Sequence, residues 1–208
     1  MITLRGVTKR FGTQVVLDGL DLDLADGVVT AVMGPNGSGK TTLARLLLGL
    51  TAPDDGTITG VDVRRGAMTF QEDRLCEQLT AVGNVRLVLD HATHSVAAVA
   101  DELRLVGLDP DALAKPVRDL SGGQRRRVAI VRAVLPAADL VVLDEPFKGL
   151  DTDAKGQLMD YVRKRCAGRT VLLITHDAAE AEWLDARVVN LPGTPAASDG
   201  DDAAEHAP

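Results

Sequence analysis

The chain has 208 residues, 45% of them hydrophobic and 25% charged, which suits one globular domain with a sizeable core. A formal charge of −7 excludes a general nucleic-acid binder, because a phosphate backbone needs a basic face. Two isolated cysteines, Cys76 and Cys166, exclude a disulfide framework or a zinc knuckle, and the most apolar stretch, residues 128–143, is too interrupted by Arg132, Pro136 and Asp139 to cross a bilayer.

Met1 is followed by Ile-Thr-Leu-Arg with no export signal in view, so a cytosolic protein is expected. Leu20, Leu22 and Leu24 alternate with Asp21 and Asp23, the two-residue period of a strand with one wet face. Asp26-Gly27 turns the chain. Val28-Val29-Thr30-Ala31-Val32-Met33 is then an apolar run of the kind buried on both faces.

Gly34-Pro35-Asn36-Gly37-Ser38-Gly39-Lys40-Thr41 follows, and matches the pattern G-x-x-x-x-G-K-[ST]. Glycines let the backbone wrap tightly, so that successive N–H groups converge on phosphate oxygens. The next helix, read from Leu43 onward and stopped by Gly49, points its positive end at the same anion. Lys40 is placed to reach the β- and γ-phosphates and the Thr41 hydroxyl to join the shell of Mg²⁺.

Pro53-Asp54-Asp55-Gly56 predicts a turn, and residues 80–113 have helical spacing with breaks expected at Gly83 and Gly107. In Leu120-Ser121-Gly122-Gly123-Gln124, Ser121 can cap a helix while the glycines expose N–H groups to an anion. Arg125, Arg126 and Arg127 are read into the first turn of that helix, where the macrodipole disfavours cations. A docked anion would relieve the conflict, and so would pairing with acids such as Asp119.

Leu140-Val141-Val142-Leu143 ends in Asp144-Glu145. Alone, this is also what a solvated acidic strand end looks like. Beside a phosphate loop it places Asp144 on Mg²⁺ and Glu145 as the general base for water. A second β-rich run, residues 171–174, leads to His176, with helical spacing around Leu158 and Val162 between the two. Helices alternating with buried strands predict an α/β fold with a mainly parallel sheet and an inserted helical block. Residues 193–208 are small, polar and acidic, and are expected to be a disordered tail.

With the phosphate loop, the carboxylate strand and the Ser121-Gly122-Gly123-Gln124 peptide in view, residues 1–192 resemble an ATP-binding cassette (ABC) nucleotide-binding domain. The resemblance implies a P-loop NTPase core with an N-terminal antiparallel β region and a helical subdomain at about residues 72–133. It implies ATP and Mg²⁺ as ligands and a dimer in which Ser121, Gly122, Gly123 and Gln124 of one subunit reach the nucleotide held by residues Gly34 to Thr42 of the other.

Further positions carry over one at a time. Phe11 falls where the family stacks an aromatic on adenine, though a plain strand-end hydrophobe fits as well. Gln71 matches a glutamine that touches Mg²⁺ and senses the membrane partner, and His176 a histidine that contacts the γ-phosphate. Asp151, in Gly149-Leu150-Asp151, matches a loop linking the two sites, while the preceding Phe147-Lys148 departs from the commonest form.

The stretch Phe70-Gln71-Glu72-Asp73-Arg74-Leu75 is similar to the nitrate, sulfonate and taurine importer ATPases, although Cys76-Glu77-Gln78 replaces their Leu-Pro-Trp. The implied protein is a peripheral subunit on the inner face of the cell membrane. It would pair with a second, identical ATPase subunit and drive separate permease subunits, with a substrate-binding protein if it imports. A soluble ABC ATPase with no transport role is the alternative.

Overall fold

In the computed structural model, residues 1–192 are described; the expected disordered tail, residues 193–208, lies outside them. Eight strands and seven α-helices follow in chain order among these residues. They are β1 (Ile2–Phe11), β2 (Gln14–Leu24), β3 (Val29–Met33), α1 (Lys40–Leu47), β4 (Asp55–Thr59), β5 (Gly66–Thr69), α2 (Ala81–Arg86), α3 (Val96–Leu105), α4 (Pro110–Ala114), α5 (Gly122–Val134), β6 (Leu140–Asp144), α6 (Thr152–Cys166), β7 (Thr170–Ile174), α7 (Ala178–Trp183) and β8 (Arg187–Asn190).

β2, β1 and β4 form an antiparallel sheet in that order. The other five strands form a wholly parallel sheet, ordered β5-β6-β7-β3-β8. Apolar residues fill both faces of its central strands because successive side chains point to opposite sides. Val141, Leu143, Val171 and Leu173 pack with helices α2 to α6, whereas Leu140, Val142, Leu172 and Ile174 pack with α1 and the antiparallel sheet. Aliphatic residues make up most of both cores, with Phe147 and Tyr161 the buried rings.

Several boundaries differ from the sequence reading. Gly83 does not break a helix: it lies inside α2, where its N–H is taken by the capping hydroxyl of Thr80 at 3.1 Å. The interruption falls instead between α2 and α3, around residues 90–94. Gly107 does stop α3, with φ +81°. Asp55 and Gly56, read as part of a turn, already belong to β4. Strands β4 and β8 are short and mostly solvent-facing, and β5 is only four residues long, so they carry little hydrophobic period for a sequence reading to find.

Candidate nucleotide-binding and hydrolytic site

The parallel sheet sets the carboxyl ends of β5, β6, β7 and β3 side by side, the edge at which ligands gather in such sheets. Gln71 lies just past β5, Asp144 ends β6, His176 lies just past β7, and the glycine-rich loop follows β3. The β5, β6 and β3 ends open onto a cleft of about 450 Å³, which His176, an exposed side chain, does not itself line. Phe11, Asn36, Gly37, Gly39, Lys40, Thr41, Thr42, Gln71, Asp144 and Glu145 line it, together with Gln14, Val16 and Lys148.

α1 is built differently from the other helices. Thr80, Ser95, Asp109, Ser121, Asp151 and Asp177 each cap their helix with a side-chain oxygen, but Gly39 before α1 offers none. No acidic residue sits in the first turn of α1 either. That end is left open to an anion from outside the chain. Steric constraint fixes the loop: a Cβ on Gly34 would lie 2.5 Å from the Leu191 carbonyl oxygen, and one on Gly39 2.6 Å from Leu17 Cδ2. Buried Ser38 Oγ has no partner, and Lys40 Nζ folds back to donate to the carbonyls of Gly34 and Pro35, each at 2.8 Å.

Thr41 Oγ1 donates to Asp144 Oδ2 at 3.0 Å. Burial pushes the Asp144 carboxyl up from its ordinary value, and the Thr41 hydrogen bond and the charges of Lys40 and Arg126 pull it partly back. One buried carboxylate touching one hydroxyl, with Gln71 on the same wall, is an all-oxygen donor set. Mg²⁺ favours such sites, taking one or two carboxylates and completing its shell with phosphate and water.

Glu145 adopts φ +45°, a left-handed conformation that costs a non-glycine residue roughly 1–3 kcal/mol and concentrates at functional sites. The bend is held by its N–H donating to the Ile174 carbonyl at 2.9 Å. Its carboxylate pairs with Lys148 Nζ at 2.8 Å and lies 3.6 Å from His176 Nδ1. The Lys148 ammonium holds this carboxyl below the usual range, burial working against it. Glu145 is therefore ionised at neutral pH and able to accept a proton.

Lys148 was the contributor that the sequence left open. Only the departure of Phe147-Lys148 from the commonest family form pointed to it.

Other positions lie outside the cleft of their own chain. Ser121 and Gly122 are exposed. Ser121 accepts from Gln124 N at 3.2 Å, and the Gln124 side chain accepts from Ser121 N at 2.9 Å, a reciprocal cap of α5. Gly123 follows Gly122 in the first turn of α5. Asp151 caps α6 through Ala154 N at 2.9 Å.

The expected conflict at Arg125, Arg126 and Arg127 is absent. They sit beyond the first three residues of α5, and their guanidinium groups donate to the carbonyls of Leu120, of Phe70 and Gln71, and of Gly107 respectively. Asp119 pairs with Arg118 instead, at 3.8 Å.

A parallel sheet with a glycine loop after β3 and a carboxylate pair at the end of β6, one strand apart across β7, defines a P-loop ATPase. A family model described as "ABC transporter" matches residues 17–148. The chain is 42% identical over 200 residues to the aliphatic sulfonates import ATP-binding protein SsuB of Mycobacterium sp. (strain MCS), covering 92% of this chain and 79% of that one. It is 38% identical to the Fe(3+) ions import ATP-binding protein FbpC of Mesorhizobium japonicum, covering 90% of this chain but only 56% of the relative. Among solved structures it is similar, with a TM-score of 0.81, 27% identity and 92% and 94% of the two chains covered, to the dimeric post-hydrolysis state of the ATP-binding cassette MJ0796 bound to ADP and Pi. The chain belongs to the ABC transporter family.

Proposed function

We propose that this chain is the ATP-hydrolysing subunit of an importer, working as a dimer that closes over two nucleotides. The observation that carries this reading is the incomplete cleft: one chain supplies an open phosphate loop, Asp144 and Glu145, while its exposed Ser121-Gly122 peptide does not line that cleft. A second copy turned face to face would bring its own peptide to the first copy's nucleotide.

In this reading Phe11 stacks on the base, and Gly34, Pro35, Asn36, Gly37, Ser38 and Gly39 present backbone to phosphate. Lys40 leaves the Gly34 and Pro35 carbonyls for the β- and γ-phosphates, and Thr41 and Thr42 extend the contact. Thr41, Asp144 and Gln71 would hold Mg²⁺, which would neutralise phosphate charge when bound. Glu145 takes a proton from water as its oxygen attacks the γ-phosphorus and the bond to the bridging oxygen breaks. His176, beside Glu145, orients that water, and Asp151 couples the two sites.

No helix among the described residues is long and apolar enough to cross a membrane. A groove of about 610 Å³ between the start of β5, residues 132–138 and residues 88–94, next to exposed Leu87 and Val88, suits a segment of a permease. The relatives' names support import, and their differing cargoes, sulfonates and Fe(3+), leave specificity to other subunits. A substrate-binding protein and a site on the inner membrane face belong to the same proposal.

Purifying the tagged chain from native membranes in mild detergent tests it. Recovery with an integral membrane protein is expected. Recovery with soluble partners alone would move the chain to the non-transport ATPases.

A further inference from the structure

Two arginines of α5 grip the loop that carries Gln71. Arg126, only 8% exposed, donates through one guanidinium nitrogen to the Phe70 carbonyl at 2.9 Å and through the other to the Gln71 carbonyl at 2.7 Å. It also lies 3.3 Å from Asp73 Oδ1. Less than two turns further along α5, Arg132 donates to the carbonyls of Asp73 and Arg74, each at 3.0 Å. The loop is also folded on itself, with the Arg74 guanidinium 4.0 Å from the Phe70 ring centroid. Carbonyls at four of the five positions from 70 to 74 are therefore held from one helix.

A buried cation persists only where its partners are fixed, because leaving it unpaired is strongly unfavourable. Loop 70–74 cannot part from α5 without stranding Arg126. A guanidinium can span two neighbouring carbonyls with a planar fork, which a lysine ammonium cannot do. α5 begins at the Ser121-Gly122 peptide, so the grip joins two pieces that the proposed reaction requires at different nucleotides.

We propose that Arg126 is a positioning residue for hydrolysis, fixing Gln71 to α5 so that the strand-end loop and the Ser121 peptide shift as one body. The inference rests on the reading of Gln71 as a nucleotide-site residue. It predicts that Arg126 acts through Gln71, so the two should not contribute independently.

The test is steady-state ATPase activity of the purified full chain and its Arg126→Gln, Gln71→Ala and doubly substituted forms, with thermal melting as a check on folding. Arg126→Gln should lower kcat about ten- to a hundredfold with little change in KM, the scale of loss expected from a small misplacement. The double variant should be no slower than Gln71→Ala. Arg126→Lys, which keeps the charge with less disturbance of the fold, should be impaired similarly because it cannot span both carbonyls.

If Gln71→Ala turns over at the wild-type rate, the reading of Gln71 falls and this inference with it. If Gln71→Ala is slow but Arg126→Gln is not, or their losses multiply in full, the inference alone is overturned. Full activity in Arg126→Lys would also overturn it.

Discussion

Lys40 shows how a single side chain can be satisfied at rest and still available. Its ammonium rests on two uncharged carbonyls of its own loop, which a triphosphate would outcompete because its oxygens carry full opposite charge. Lys40→Ala should weaken ATP binding about 10- to 100-fold, the worth of a hydrogen bond to a charged group. Its melting temperature should change little, because the lost partners are partly exposed carbonyls. Equilibrium binding of a fluorescent ATP analogue checks this, and unchanged affinity would contradict the phosphate-loop assignment.

The junction of β7, α6 and α7 illustrates how elements are held behind the site. Lys155 of α6 pairs with Asp177 at 2.6 Å and Glu180 at 2.7 Å, and Thr175 donates to Glu180 at 2.5 Å, which anchors the segment bearing His176. The Lys155 hydrogen bond holds Asp177 below the ordinary carboxylate value. Burial opposes the charge on Lys155, but its hydrogen bonds to Asp177 and Glu180 outweigh it and raise its pKa.

A depressed acid stabilises above its unfolded value, near 3.8, and loses that contribution as pH falls through its folded value. A raised base stabilises below its unfolded value, near 10.5, and loses it as pH rises through its folded value. Lys155→Met should therefore lower stability by about 2 kcal/mol between those limits. The gap from wild type should close at the acid and alkaline extremes, as denaturant titrations across pH would measure.

Such networks were hidden from the sequence. Their partners lie 22 and 25 residues apart, and nothing in the local pattern of Lys155 marks them. The phosphate loop and the run ending in Asp144-Glu145 were legible because each binds its chemistry to a fixed local spacing. The arginines after Gln124 illustrate the opposite case: the sequence assigns their charges to a helix end, while their partners are carbonyls, of Leu120 for Arg125 and Gly107 for Arg127 and, more than 50 residues away, of Phe70 and Gln71 for Arg126.

One chain gathers the phosphate loop, Asp144 and Glu145 at one cleft but keeps the Ser121-Gly122 peptide of the proposed site exposed and outside it. Closure of two chains then becomes part of the reaction, with α5 joining the Ser121 peptide to the loop of Gln71. The most direct measurement is the solution mass of Glu145→Gln with saturating ATP and Mg²⁺, by light scattering or sedimentation. Because this substitution removes the base but leaves the phosphate loop intact, a shift from one chain to two on adding ATP is predicted, with turnover reduced at least about 100-fold. A chain that binds ATP fully yet stays single would contradict the account.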